Sequence, residues 1–193
     1  MIFRNTSEFA DEIIRRRSAM VERCIMIFPE FSNMGVIDGV RDKYDPLAKH
    51  VRPHITLVFP FQSDITSNEL KKHLENMLLS IKPFQVTLQG ITPVQSFGNY
   101  LFLNIIHGED EIIEIHKFLY TDLLESVYPK WLRAGDFYPH MTVGKIASEE
   151  DYKAAIDEVK DIKDSFDTII EKISVEIIDE NEDSLIEMEI PLA

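Results

Sequence analysis

Cysteine is nearly absent from this chain of 193 residues, with Cys24 standing alone. One thiol can close no intrachain disulfide and build no cysteine metal cluster, and its place in an apolar run predicts a buried side chain. Long hydrophobic runs are missing as well. No stretch approaches the ~20 apolar residues of a membrane-spanning helix. The opening MIFRNTSEFADEIIRRRSAM is interrupted by Glu, Asp and Arg, so it lacks the apolar centre of a secretion signal. A cytoplasmic protein with no membrane partner is expected. Positive charge is the third scarcity: 20 Lys and Arg stand against 34 Asp and Glu, a formal net charge of −14. Such a surface repels long polyanions, which argues against long RNA as a ligand. A small nucleotide or short oligonucleotide needs only a locally favourable pocket. The sequence also contains no phosphate-binding glycine loop, no G-x-S-x-G elbow and no H-E-x-x-H zinc motif.

What remains is a globular composition, 45% hydrophobic with 12 Phe, long enough for one good core or two small lobes sharing one. Ser7 to Met20 reads as a helix, either a native extension or the product of an upstream start; residues 1–19 are accordingly set apart from a single domain over 20–193. A strand over Arg23 to Phe28 follows, then a mixed segment from Ser32 that stops at Tyr44-Asp45-Pro46. The clearest helix starts at Thr66, whose spacing to Glu69 is that of a capping box, with Leu70, Leu74, Met77, Leu78 and Ile81 as its apolar stripe and His73 at the boundary. A hairpin is expected around QSFGN, a helix over 109–127, a helix capped by Ser148, and two terminal strands on which Glu176 and Glu187 face solvent. The order strand, helix, strand, helix, hairpin is then nearly repeated. The expected fold class is α+β: two lobes, each an antiparallel sheet with flanking helices.

Two short strands carry the chemistry. In RPHITLVFPF, residues 52–61, alternation puts Ile55, Leu57, Phe59 and Phe61 toward a core and His54 and Thr56 on the other face. In YPHMTVGKI, residues 138–146, His140 and Thr142 share a face in the same way. Either motif alone reads as a hydrogen-bonded boundary histidine beside a threonine kept for strand propensity. Two proline-preceded copies in corresponding places are hard to attribute to propensity. Imidazole titrates near neutrality, so one ring can take a proton while the other supplies one across a phosphoryl group. A hydroxyl two strand residues away can hold a phosphate oxygen. The pair makes a poor zinc site for want of carboxylates at ligand spacing, and no metal or cofactor is implied. Arg52 and Tyr138 lie on the faces of their histidines, and Arg133 precedes the second motif; each is a candidate substrate contact, and each is otherwise a surface side chain. Phe97, Tyr100 and Trp131 are either stacking surfaces or core edges.

His54-Ile55-Thr56-Leu57 and His140-Met141-Thr142-Val143, with the first strand IMIFP and the YDP before the first motif, resemble the 2H phosphoesterases, the 2′-5′ RNA ligase and RNA 2′,3′-cyclic phosphodiesterase family. The likeness extends over most of the chain from about Met20. It implies a bilobal fold with pseudo-twofold symmetry and a central cleft lined by the four motif residues. It further implies metal-independent opening of a 2′,3′-cyclic phosphate, a 2′-5′ linkage or a related small phosphodiester. His54 would be the general acid and His140 the base, roles that the symmetry leaves interchangeable, with Thr56 and Thr142 on the phosphate. The competing expectation is a regulatory protein that binds a phosphorylated ligand in the same cleft without turnover.

Overall fold

The structure, a computed structural model, describes residues 20–193. The helix expected from Ser7, and with it the 1–19 extension, lies outside the described residues. The chain runs β1 (Val21–Ile27), α1 (Met34–Tyr44), β2 (Ile55–Ser63), α2 (Ser67–Leu78), β3 (Phe84–Val94), β4 (Asn99–His107) and α3 (Glu109–Leu119). Two 3-10 turns (Asp122–Val127 and Lys130–Ala134) lead to β5 (His140–Ile146), α4 (Glu149–Val159), β6 (Ser165–Ile170), β7 (Lys172–Ile178) and β8 (Ser184–Pro191). Helix starts follow the sequence. Thr66 and Glu69 form a reciprocal capping box at α2, and the Ser148 hydroxyl accepts from the Asp151 amide at α4. The helix expected over 109–127 breaks after Leu119 and resumes as a 3-10 turn that buries Leu124.

Among the described residues the eight strands form one antiparallel sheet in the order β6-β3-β4-β5-β2-β1-β7-β8. Its two four-stranded halves meet where β2 touches β5, through the single pair Ile55–Met141. The hairpins cross over: β3–β4 pairs with β5, and β7–β8 pairs with β1. The terminal stretch read as one strand, FDTIIEKISVEII, is divided at Glu171. Its first part, β6, edges β3 at one end of the sheet, and its second part, β7, pairs with β1 in the other half. Helices cross over too, with α1 packed on β5 and α3 on β2. Residues of the four described helices and both half-sheets join in one apolar cluster, Ile55, Leu70, Leu103, Ile115, Met141 and Tyr152 among them.

Three expectations about burial are corrected. Between β1 and β2 the register shifts twice, so that Val58 pairs with Ile25 and enters the core, while Phe59 turns away, half-buried. Glu176 is not on a solvent face: β7 is flanked by β1 and β8, and the carboxylate is 2% exposed, accepts from the Ser184 hydroxyl, and is raised in pKa by burial. Its neighbour Glu187 is ion-paired at 2.7 Å with the buried Arg23. His73 is buried, its Nε2 bonded to the Leu119 carbonyl at 3.2 Å. Cys24 is buried as expected, and burial pushes its thiol pKa well up. Among the described residues no helix is long and apolar enough to cross a membrane.

Candidate functional site

The Ile55–Met141 pair sets the geometry of both motifs. These two side chains are fully buried in the core, so their strand neighbours point to the opposite face of the sheet. Continuing the antiparallel register by one residue each way sets His54 opposite Thr142 and Thr56 opposite His140. Directly opposed Cβ atoms lie roughly 5 Å apart and diagonal ones roughly 7 Å. The two imidazoles therefore stand diagonally across the junction of the half-sheets, with a threonine facing each.

The rings are held alike. His54 Nδ1 lies 2.8 Å from the Arg52 carbonyl, and His140 Nδ1 lies 2.8 Å from the Tyr138 carbonyl. A carbonyl only accepts, so Nδ1 carries the hydrogen and Nε2 of each neutral ring keeps its lone pair free. Burial lowers both pKa values. His54 falls to about 4 through desolvation, opposed by the Arg52 carbonyl and assisted by the positive charge of Arg41 and of His140. His140 is lowered for the same first reason, with the Tyr138 carbonyl opposing.

The surroundings of the two histidines differ. His140 stacks on Phe102 at a centroid distance of 3.6 Å and lies nearly parallel to Tyr138 at 6.1 Å. Beside it opens a cleft of about 610 Å³ whose wall includes Thr142, Phe97, Tyr100, Trp131 and Phe137, a volume ordinary for a small-molecule site. Phe59, turned out of the core, packs edge-on against Trp131 at 4.9 Å and belongs to the same wall. Asp136 is the one carboxylate there. His54 and Thr56 stand across the strand junction and do not line this cavity. Near His54 the neighbours are Phe28, edge-on at 6.1 Å, and the Arg52 guanidinium, 4.4 Å above the Phe28 ring.

Of the residues singled out in the sequence, His54, Thr56, His140 and Thr142 are brought together, Tyr138 lines the cleft, and Arg52 sits beside His54. Arg133 is not brought in: its guanidinium lies 5.9 Å from the Tyr128 ring, outside the cleft wall. Sequence reasoning missed Asn104, which pairs with His140 across β4–β5 and whose buried Oδ1 has no partner, because one Asn in an apolar strand carries no signal. It also missed His116, stacked on Phe137 at 3.7 Å and donating from Nδ1 to the Leu57 carbonyl behind the cleft wall. Among the described residues no group of three or more His, Cys, Asp or Glu is placed to hold a metal ion.

Comparison with known proteins bears on this arrangement. The sequence profile of the 2′-5′ RNA ligase superfamily matches residues 28–182, which contain both histidine strands. A Bacillus licheniformis protein, provisionally named a phosphoesterase, is 23% identical over 149 residues, covering 77% of this chain and 85% of its own. A similarly named Bacillus cereus protein is 26% identical over 132 residues, covering 66% and 72%. Among solved structures, Escherichia coli LigT in complex with 3′-AMP superposes with a TM-score of 0.55 at 14% identity over 90% of this chain and 99% of its own. TT0787 of Thermus thermophilus does so with 0.57 at 13% over 89% and 97%. At that identity the two structures share the fold. With the family profile covering most of its length, this chain belongs to the 2H phosphoesterases of the 2′-5′ RNA ligase superfamily.

Proposed function

We propose that the protein is a metal-independent phosphodiesterase that opens a 2′,3′-cyclic phosphate, or a related small phosphodiester, on a nucleotide or short oligonucleotide. The observation that carries this reading is the pair of identically held imidazoles across the Ile55–Met141 junction, each with a free Nε2 and an opposing threonine. Family membership supports phosphoesterase chemistry in general. The same reading treats β2-β1-β7-β8 and β5-β4-β3-β6 as two lobes related by a pseudo-twofold through that junction, as the crossed placement of α1 and α3 suggests.

The reaction balances without a metal. The second imidazole enters as the imidazolium, protonated at Nε2 and stabilised by the bound anionic phosphate. The first takes a proton from water as the water oxygen bonds to phosphorus; the bond from phosphorus to the ribose 3′-oxygen breaks, and the imidazolium gives that oxygen its Nε2 proton, leaving a 2′-phosphate. Thr56 and Thr142 donate to the non-bridging oxygens. Burial strips His54 of its proton more strongly than His140, and the ring-lined cleft that suits a nucleoside lies beside His140. Both favour His140 as the acid on the nucleoside side and His54 as the base on the water side, the reverse of the order that the resemblance implied.

The test is turnover of 2′,3′-cyclic nucleotides with a chelator present, followed by phosphorus NMR. H54A and H140A should each lose at least about 100-fold, the usual worth of one general acid or base. On a p-nitrophenyl phosphodiester, whose leaving group needs no proton, H140A should recover and H54A should not. Nucleotide binding without turnover would instead establish a regulatory binding protein.

A further inference from the structure

The cleft beside His140 continues along β5, and its continuation changes character twice. Across β4–β5 the register shifts between Leu101 and Phe102, so Lys145 pairs with Tyr100 and faces the same side as Thr142. In an unbroken strand, residues three apart would face opposite sides. Lys145 Nζ lies 5.9 Å from the Tyr100 ring centroid, and among the described residues no carboxylate lies within ion-pair distance of it. It stands three residues beyond Thr142, roughly 10 Å along the strand.

Between His140 and Lys145 the rings form a continuous path. Phe102, stacked on His140, is followed by Tyr100 at 5.7 Å, and Tyr100 by Phe97 at 5.3 Å, the last 67% exposed at the β3–β4 turn. The turn is shaped for this: a Cβ on Gly98, at φ +144, would stand 2.6 Å from the Tyr100 ring. A second hollow of about 350 Å³, lined by Phe97, Tyr100 and Lys145, shares its first two residues with the catalytic cleft. Past Lys145 the surface becomes acidic. A third hollow, with Lys145 at its edge, is bordered by Asp42, Asp45, Asp151, Glu158 and Lys43, of which Asp45 is paired with Arg41 and Glu158 with Lys43. Asp42 and Asp151 are exposed and, among the described residues, have no cation within ion-pair distance.

We infer that the site reads the end of an oligonucleotide over two nucleotides and no more; the inference rests on the phosphodiesterase reading of the same cleft. The terminal nucleotide occupies the cleft at His140 and Thr142. The phosphate joining it to its neighbour meets Lys145, and the neighbour's base stacks on Tyr100 and Phe97, as single-stranded bases do on exposed rings. A third nucleotide would carry its phosphate to Asp42 and Asp151, which repel it.

The experiment compares kcat/KM for mono-, di-, tri- and tetranucleotides of one base, each ending in a 2′,3′-cyclic phosphate. The dinucleotide should exceed the mononucleotide by about tenfold, with no further gain at three or four. Lys145→Ala should collapse the ratio of dinucleotide to mononucleotide, and Lys145→Arg should keep it. Lys145→Ala should also reduce the salt dependence of dinucleotide binding by about 0.7 in the slope of log K against log salt, the worth of one phosphate on a single strand. A wild-type ratio near one, or a ratio unaffected by Lys145→Ala, overturns the inference, as does a steady gain with length. Should no member of the series turn over, the phosphodiesterase reading fails by itself. Calorimetric binding of the same series ending in a 2′-phosphate then decides the two-nucleotide site by the same ratio.

Discussion

His54 and His140 show how a short strand controls a titrating group. Each follows a proline, which keeps its predecessor extended, and each ring folds back to the carbonyl two residues upstream. That bond costs the ring no Nε2 lone pair. Burial then keeps the ring neutral, with a consequence for stability. His54 titrates at about 4 in the folded protein, against about 6.5 for an unperturbed ring. Between those values the unfolded chain binds more protons than the folded one, so stability rises with pH across the window and is lost as pH falls through it. The urea midpoint of the wild type should drop from pH 6.5 toward pH 4 more steeply than that of His54→Asn, whose amide still donates to the Arg52 carbonyl. Equal slopes for the two proteins would contradict the placement of His54 in a desolvated site. The residue types and their pairing were legible in the sequence, since His-x-Thr occurs twice behind proline. The unpaired Asn104 Oδ1 was not, because its meaning comes from standing across from His140.

At the scale of elements, local rules did well where the causes are local. The capping box of α2 and the Ser148 cap of α4 follow from residues three apart, and the turn between β3 and β4 from its glycine. Gly108 is a sharper case. It caps α3 in the left-handed region at φ 84, where a Cβ would stand 2.6 Å from the Gln85 carbonyl oxygen. Gly108→Ala should therefore destabilise the protein by at least about 1–2 kcal/mol from the backbone conformation alone, measurable as a lowered urea midpoint with an unchanged m-value. Strict alternation misplaced Phe59, and it would likewise have turned Lys145 away from the cleft. Both lie beside register shifts, in β1–β2 and β4–β5. A bulge is a compromise between two strands, so neither strand's own letters reveal it.

At the scale of the molecule, the crossed hairpins tie the halves together. Only one residue pair bridges β2 and β5, yet the apolar cluster runs without interruption beneath both half-sheets. Unfolding should be a single transition, with Trp131 fluorescence and far-UV circular dichroism coincident in urea. Two separated transitions would mean that the halves fold independently. Net charge acts at this scale as well. At −14 a net repulsion of long polyanions is the expectation, and a locally cationic position such as Lys145 matters more against that background.

By itself the sequence determined where the capped helices start, that two His-x-Thr strands exist, and which face of each strand carries them. Those properties depend on spacing within a few residues, where backbone geometry is stiff. Tertiary structure alone decided that these two strands are neighbours, that Glu176 is buried, that β6 and β7 part at Glu171, and that the ring-lined cleft opens beside His140 and not beside His54. Each of those depends on contacts between segments tens of residues apart. Such contacts are chosen by the packing of the whole core, and no window of sequence contains them.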